Sequence, residues 1–378
     1  MATITMPLTD ARPHEAVLRA DVRAFLAAER AAQPELFAHR GYDLGFTRRL
    51  AGQGWVGMMI PRQFGGGGHS AVEQFVVAEE LLASGAPLGA HHAADRQTAP
   101  MLLRYGTEAQ QERFLPGIAD GSIGFALGMS EPDAGSDLAA VRTRARRVEG
   151  GWAVSGTKVW TSWAQYVPWA IVLCRTSPKA ESKHEGLSQL IIDLRGPGVA
   201  VHPIVTLDGR SHFCEVVLDE AFVPDELVLG EVGNGWRQVN AELAYERAGP
   251  DRWLSTFRVY RALVAIAARR PDASTAALAG RCAAWYRTLH ELSYGIARRV
   301  SEGGDPATEA AVVKDLGTAF EQQVLELGRT ALDGAIEAGD AAELAAELAE
   351  LVLVAPGFTI RGGSTEILRT VISRGLLR

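Results

Sequence analysis

The chain of 378 residues is 47% hydrophobic and 22% charged, an ordinary globular balance with enough apolar surface for more than one core. Its net charge of −7 argues against nucleic-acid binding, and its three cysteines show neither a CxxC pair nor zinc-type spacing, which argues against a disulfide framework or structural zinc. Because the sequence has no long apolar run and no basic segment followed by an apolar one at its start, we expect a cytoplasmic protein with no membrane span.

The first third of the chain is predicted to be helical. Apolar residues recur at helical spacing over residues 9–35, after a Thr9-Asp10 cap signal and up to Pro34. A glycine-rich connector follows, and two further helices are expected at residues 70–84 and 93–105.

The next helix has a clear start signal. Thr107 and Gln110 have the spacing of a capping box, and Pro116 closes the pattern. His91 and His92 lie nearby as a pair. Because no third ligand accompanies them in the sequence, we expect a helix-end or loop role and no metal site.

Between residues 125 and 230 the pattern becomes strand-like, with short apolar runs divided by Gly, Pro and charged turns. The predicted strands are Phe125–Leu127, Thr143–Val148, Trp152–Val154, Lys158–Thr161, Trp169–Cys174, Ser188–Asp193, Val199–Val205 and Phe213–Leu218. Helical patterns return at about residues 236–268, 272–303, 307–334 and 340–353, and from Ser364 onward.

The predicted fold class is therefore α+β, with three domains. These are an N-terminal helical domain (1–122), a middle antiparallel β-domain (123–232) and a C-terminal four-helix bundle (233–378).

The most informative stretch runs from Phe125 to Ser162, FALGMSEPDAGSDLAAVRTRARRVEGGWAVSGTKVWTSW. Its first strand breaks at a proline, and the turn that follows offers backbone N–H groups and a hydroxyl at Gly135 and Ser136. Such a turn can hold a pyrophosphate or the polar rim of a ring cofactor.

With GTKVWTSW placed about twenty residues on, this stretch resembles the flavin-binding signature of the acyl-CoA dehydrogenase family. Two earlier blocks, GWVGMMIPRQFGG at 54–66 and YGTEAQQ at 105–111, are also similar to family blocks. The resemblance implies the acyl-CoA dehydrogenase fold, FAD as cofactor, an acyl-CoA substrate, and electron-transfer flavoprotein or a similar acceptor as partner. It places flavin contacts at Leu127, Met129 and Ser130 near the pyrimidine, at Gly135 and Ser136 toward the pyrophosphate, and at Trp160 and Ser162 over the ring.

Dehydrogenating a thioester between Cα and Cβ needs a carboxylate to take the α-proton. In many members of the family this is a Glu just before the last helix, but here the matching string IRGGSTEILR has Gly362 at that position. The isovaleryl branch of the family takes its base from an earlier helix, in a string similar to LAYER at residues 243–247. The resemblance therefore implies Glu246 as the base, with the Gly362 N–H free to donate to the thioester carbonyl.

Alternatives stay open for the neighbouring residues. From the sequence alone, Glu246 is better explained as a surface helix residue paired with Arg247 or Arg252. Arg247 could contact the CoA portion of the substrate or hold the helix. Ser364 and Glu366 are expected beside the flavin, with Glu366 as the rival carboxylate.

The leading prediction is an acyl-CoA dehydrogenase for a branched or bulky acyl group, because Gly362 leaves space near the thioester. The same fold hosts flavin oxidases and monooxygenases, and loss of the usual Glu would suit such a change. A non-catalytic subunit of a heteromeric complex is a third possibility.

The chain lacks two strings of the family. In the family's homotetramers these strings clamp the ADP half of FAD across the subunit interface. The Arg-x-x-Phe region reads ARRPDAS at 268–274, and the Gln-x-x-Gly-Gly-x-Gly region is replaced by DGAIEAGDAAE at 333–343. A carboxylate-bearing stretch would repel a phosphate. The sequence therefore predicts an oligomer with a related subunit, resembling the heteromeric acyl-CoA dehydrogenases of sterol side-chain breakdown, while a homo-oligomer that binds the adenine half differently stays open.

Overall fold

A computed structural model of the chain describes residues 13–38, 41–178, 181–269, 273–337 and 341–377. The elements follow the predicted order of helices, strands and helices. The α-helices are α1 (Pro13–Ala32), α2 (Glu35–Ala38), α3 (Leu44–Gly52), α4 (Ala71–Ser84), α5 (Ala99–Tyr105), α6 (Glu108–Ala119), α7 (Gly235–Ala248), α8 (Phe257–Arg269), α9 (Ala273–Ser301), α10 (Ala307–Glu337), α11 (Ala342–Val354) and α12 (Thr365–Leu376). The strands are β1 (Phe125–Gly128), β2 (Arg144–Val148), β3 (Gly151–Ser162), β4 (Trp169–Arg175), β5 (Leu187–Asp193), β6 (Val199–Ile204), β7 (Phe213–Pro224) and β8 (Val228–Leu229).

Most of the predicted helices are confirmed within one to three residues. The capping box is present as predicted: the Gln110 backbone N–H donates to Thr107 Oγ1 and the Thr107 N–H donates to Gln110 Oε1, both at 3.2 Å. The predicted helix at 93–105 is α5 preceded directly by a π-helical segment at Ala94–Thr98. The Thr9-Asp10 cap signal lies outside the described residues.

The chain divides into two compact units. Among the described residues, the first comprises 13–38, 71–86 and 244–377, and the second comprises 41–70 and 87–243. The units do not follow the sequence in order, since α1 and α4 from the beginning of the chain belong with the C-terminal helices. The division into residues 1–122, 123–232 and 233–378 stays a prediction.

The second unit is built on a sheet with the strand order β6-β7-β3-β2-β4-β5-β8, to which β1 adds a parallel pairing with β4. Apart from one parallel residue pair between β2 and β4, the other pairings are antiparallel. The predicted strands at 152–154 and 158–161 are one continuous strand, β3, because Ser155 and Gly156 form a bulge and not a turn. A second irregularity between Lys158 and Thr161 redirects the side chains of this strand end.

The first unit contains the predicted bundle of long helices, α8 to α11. The pattern of α8 shows why it packs there, because Val259, Ala262, Leu263 and Ile266 recur at helical spacing and are all buried. They pack into one apolar core with residues of α9, α10, α11 and α4.

The prediction of one helix over residues 236–268 is wrong. The structure has two helices, α7 and α8, separated by Gly249 and a 3₁₀ turn at Pro250–Arg252. Proline lacks the N–H that a helix needs and disfavours helical conformation in the residue before it. The break brings Arg252 back toward the end of α7.

Candidate active site

In the second unit, the turn after β1 lies beside the end of β3. The Val159 N–H donates to the Ser130 carbonyl at 2.9 Å, and Lys158 Nζ donates to the Met129 carbonyl at 3.0 Å. The structure therefore brings Met129 and Ser130 against Lys158 and Val159, the residues that come just before Trp160. Leu127, on β1, is half-buried against the core of the same unit.

A buried ion pair fixes this turn. Lys158 Nζ contacts Glu131 Oε1 at 2.8 Å, and the two carboxylate oxygens of Glu131 also accept backbone N–H groups from Thr143 and Arg142. Burial lowers the pKa of Lys158, although Glu131 opposes the effect. Burial disfavours the charged carboxylate of Glu131, but Lys158 outweighs it and the pKa of Glu131 is lowered. This pair, which supports the turn, was not predicted from the sequence.

Trp160 has an unusual backbone and an exposed ring. Its φ is 62° and Trp163 has φ 61°, values that cost a non-glycine residue about 1–3 kcal/mol and that cluster at functional sites. The indole of Trp160 is 55% exposed and stands edge-on to Phe213, with ring centroids 5.7 Å apart. Ser162 is half-buried at the end of the same strand.

Gly135 and Ser136 lie on the exposed turn between β1 and β2. A Cβ added at Gly135 would meet no atom within 4 Å, so packing within the described structure does not require a glycine there. Open space at this position leaves the backbone accessible to a ligand.

In the first unit, the end of α7 lies against the glycine turn before α12. A Cβ built at Gly362 would be 3.3 Å from Glu246 Oε1 and 3.4 Å from Arg252 Nη1. Gly362 has φ +66° and Gly363 has φ +102°, conformations that favour glycine. Any side chain at Gly362 would therefore compete with the Glu246 carboxylate for the same space.

The alternatives left open for the two arginines have separate outcomes. Arg252 Nη2 pairs with Glu246 Oε1 at 2.9 Å, and the Glu246 side chain is 20% exposed, so it is a half-buried and not a surface residue. Arg247 is buried and its Nε donates to the Gly362 carbonyl at 2.9 Å. No carboxylate of the described residues lies within ion-pair distance of Arg247, and burial lowers its pKa. Its observed role is to hold the glycine turn.

A charge cluster of the buried residues Lys314 and Glu321 with the half-buried Arg361 was not predicted from the sequence. Glu321 Oε2 pairs with Arg361 Nη2 at 3.1 Å, and Lys314 Nζ donates to the Phe358 carbonyl at 2.9 Å. Burial lowers the pKa of Lys314 to about 7, with Arg252 and Arg361 adding to the effect, and burial raises the pKa of Glu321. A sequence signal exists, because Lys314 and Glu321 lie two turns apart on the apolar side of α10.

Ser364 and Glu366 stand at the N-terminus of α12. Ser364 is the N-cap residue, and Glu366 is exposed in the first helical turn. Hydrogen bonds from its own backbone and from Ser364 lower the pKa of Glu366. Of the two candidate carboxylates, Glu246 is the one that lies against Gly362.

Other predicted features have no place in this site. His91 is buried and bonded to Thr47 Oγ1 at 2.9 Å, and burial, with His92 adding, lowers its pKa to about 3. The described residues include no cluster of metal-type ligands and no helix long and apolar enough to cross a membrane. Parts of the two altered clamp strings, residues 270–272 and 338–340, lie outside the described residues.

Comparison with known proteins gives matches along almost the whole chain. Residues 12–122, 126–221 and 233–377 match the models of the acyl-CoA dehydrogenase N-terminal, middle and C-terminal domains. The chain is 34% identical over 343 residues to acyl-CoA dehydrogenase IpdE1 of Mycobacterium tuberculosis, covering 88% of this chain and 86% of that protein. Its structure is similar to the Tcur3481-Tcur3483 steroid ACAD, with a TM-score of 0.86, 28% identity and 98% of each chain covered. It is also similar to the ChsE4-ChsE5 complex of Mycobacterium tuberculosis, with a TM-score of 0.82, 26% identity and coverage of 97% and 98%.

Proposed function

The chain belongs to the acyl-CoA dehydrogenase family, and from that premise we propose that it carries out FAD-dependent α,β-dehydrogenation of an acyl-CoA with Glu246 as the general base. The observation that carries the proposal is the position of the Glu246 carboxylate, 3.3 Å from the point where a Gly362 side chain would begin. A carboxylate is thus present beside the glycine that replaces the usual Glu. Loss of that Glu therefore does not require a change to oxidase or monooxygenase chemistry.

The residues of the second unit fit a flavin. The exposed indole of Trp160 and the half-buried Ser162 offer a surface for a planar ring, and the open backbone at Gly135 and Ser136 suits a pyrophosphate. The Lys158–Glu131 pair fixes the turn that would meet the pyrimidine. Bound FAD supplies the hydride acceptor.

The residues around Gly362 have separate roles in the proposed reaction. Glu246 accepts the α-proton of the substrate. The Gly362 N–H has no hydrogen bond to any described residue, so it is available to the thioester carbonyl, where it would stabilise developing negative charge. Arg247, bound to the Gly362 carbonyl, keeps the turn in its left-handed conformation.

The proposed substrate has a branched or bulky acyl group. Gly362 places no side chain beside the thioester, and one of the similar solved structures is named a steroid ACAD. Values of kcat/KM for straight, branched and polycyclic acyl-CoAs measure this preference. A clear preference for short straight chains contradicts the proposal.

The proposed assembly is a heteromer with a related subunit, in the cytoplasm, passing electrons to electron-transfer flavoprotein or a similar acceptor. Two similar solved structures are named as pairs of proteins, Tcur3481-Tcur3483 and ChsE4-ChsE5, and the chain lacks both clamp strings for the ADP half of FAD. Expressed alone, the protein should hold FAD poorly. A homo-oligomer with one tightly bound FAD per chain and full activity contradicts this assembly.

The function is tested by anaerobic addition of an acyl-CoA panel to the FAD-loaded protein, with its partner subunit where that is needed for loading. We expect rapid bleaching of the flavin by at least one bulky acyl-CoA. Oxygen uptake in the absence of any acyl-CoA would favour an oxidase or monooxygenase instead. Absence of bound flavin even with the natural partner present would favour a non-catalytic subunit.

A further inference from the structure

We propose that Arg252 is a positioning residue that holds the Glu246 carboxylate against the Gly362 turn. The inference rests on the proposed function, because it concerns the base assigned there. Arg252 follows Glu246 by six residues, directly after the break between α7 and α8. It touches neither substrate nor cofactor in this proposal and acts only through Glu246.

Arg252 holds Glu246 at two points. Its Nη2 donates to Glu246 Oε1 at 2.9 Å, and its Nε donates to the Glu246 main-chain carbonyl at 3.0 Å. That carbonyl belongs to the last turn of α7, where helix carbonyls lack intrahelical partners. One planar guanidinium therefore fixes both the helix end and the carboxylate that extends from it.

Arg252 is itself held in place. It is buried, and its Nε also pairs with Asp251 Oδ2 at 3.0 Å. A Cβ built at Gly317 of α10 would lie 2.7 Å from the Arg252 carbonyl, so the glycine lets the two segments approach closely. A base fixed in this way needs little reorganisation when the substrate arrives.

The choice of arginine suits this role. A guanidinium stays charged at every working pH, so it holds the carboxylate without competing for the α-proton. Burial opposes the charge of Arg252, but Asp251, Glu246 and Glu321 outweigh it and its pKa is raised. Lys314 of the same cluster instead binds Thr318 Oγ1 and the Phe358 carbonyl.

The alternative is a purely structural role, in which Arg252 only neutralises buried carboxylates. Substitutions separate the two. Arg252→Gln removes the charge and the two-point contact with the Glu246 carboxylate and main-chain carbonyl, while Arg252→Lys keeps the charge but offers a single point donor. Arg258→Gln is the matched control, because Arg258 forms a similar half-buried pair with Glu347 in the same unit, through Nε and Oε1 at 2.8 Å.

The measurement is the rate constant of flavin reduction by saturating acyl-CoA, under anaerobic conditions, in the FAD-loaded protein. We expect Arg252→Gln to lower this rate constant at least about tenfold with little change in substrate Kd, since misplacing a catalytic group by about 1 Å can cost ~10²-fold. Arg252→Lys should recover part of the loss, and Arg258→Gln should react like the unmutated protein. An unchanged rate in Arg252→Gln, or an equal loss in Arg258→Gln, overturns the proposal.

A double substitution gives a second test. In a Glu246→Gln background, Arg252→Gln should lower the residual reduction rate no further, because residues that act through one another are not additive. If the two substitutions lower the reduction rate independently, so that their effects multiply, the proposal is overturned. If Arg252→Gln does not fold, the same comparison is made with Arg252→Lys.

A readout without substrate uses the FAD-free chain. The midpoint of thermal unfolding should fall in Arg252→Gln, which leaves Glu246 without its buried partner, and should recover in part in the double variant. Failure of the unmutated protein to bleach with any acyl-CoA overturns the proposed function and this inference together. Bleaching by the unmutated protein and by Arg252→Gln at equal rates overturns this inference alone.

Discussion

Glu246→Gln should retain the structure and lose the reaction. The amide is isosteric with the carboxylate, and its remaining oxygen can still accept the hydrogen bond that Arg252 now gives Oε1 at 2.9 Å. It also fits the space left by Gly362, where the closest approach of Oε1 to a built Cβ is 3.3 Å. An amide cannot take the α-proton, however. Loss of a general base costs about 10²–10⁴-fold in rate, which corresponds to about 3–5 kcal/mol of barrier.

The assay is stopped-flow reduction of the flavin by an acyl-CoA without oxygen, with the flavin spectrum confirming equal FAD content. Glu366→Gln is the contrasting variant, because Glu366 is an exposed residue of the first turn of α12. This substitution should lower the rate of flavin reduction much less than Glu246→Gln does. Glu326→Gln removes an exposed ion pair with Arg329 and should leave the rate within about twofold. If Glu366→Gln abolishes reduction while Glu246→Gln reacts normally, the assignment of the base is wrong.

Three further substitutions test the supports of the site. Gly362→Ala should destabilise the protein by about 1–2 kcal/mol and slow flavin reduction, because φ is +66° and its Cβ would press on Glu246; an unchanged unfolding midpoint contradicts this. Lys158→Met should lower the free energy of unfolding by about 3–5 kcal/mol and release FAD, because Glu131 is left buried without its cation. Normal FAD retention in this variant argues against a role of the Lys158–Glu131 pair in supporting the flavin site. Burial lowers the pKa of Lys314 from 10.5 to about 7. Between pH 7 and pH 10.5 the unfolded chain therefore binds more protons at this residue than the folded protein does, and the free energy of unfolding should rise with pH over that range. Lys314→Met should remove roughly 2 kcal/mol of that rise between pH 7 and 9, measured by denaturant unfolding, and an equal slope in both proteins contradicts the shift.

The order of elements was predictable because it depends on local patterns. Runs in which apolar residues alternate with polar ones predict the strands, and apolar residues at helical spacing predict the long helices. The start of α6 follows from Thr107 and Gln110 alone. The strand β3 shows the limit of this approach. Gly156 inside a strand indicates either a turn or a bulge, and only the pairing with β7 decides between them.

The sequence carries a signal for the break between α7 and α8. Gly249 and Pro250 are stop signals, but apolar residues continue at helical spacing on both sides, and that periodicity favoured one long helix. The consequence for the site is large, since a continuous helix would carry Arg252 away from Glu246. With the break, Arg252 returns to within 2.9 Å of the carboxylate.

The cluster of Lys314, Glu321 and Arg361 could not be predicted in the same way. Its contacts join residues 40 to 44 positions apart, and no local pattern specifies which charges meet inside a helical bundle. A charged residue on an apolar helix face signals only that some partner must exist. The partner of Lys314 is the main-chain carbonyl of Phe358, and a main-chain carbonyl has no sequence signature.

The position of the proposed base, Glu246, follows from space as much as from chemistry. Glu246 and Gly362 come from distant parts of the sequence, yet the carboxylate of one lies 3.3 Å from where the side chain of the other would begin. Two carboxylates in that space would repel each other and would raise the pKa of one of them. A glycine at position 362 and a glutamate at position 246 are therefore two halves of one arrangement. The left-handed turn of Gly362 and Gly363, held by Arg247, makes room for a carboxylate that reaches the turn from the end of α7, as the proposed role of Glu246 requires.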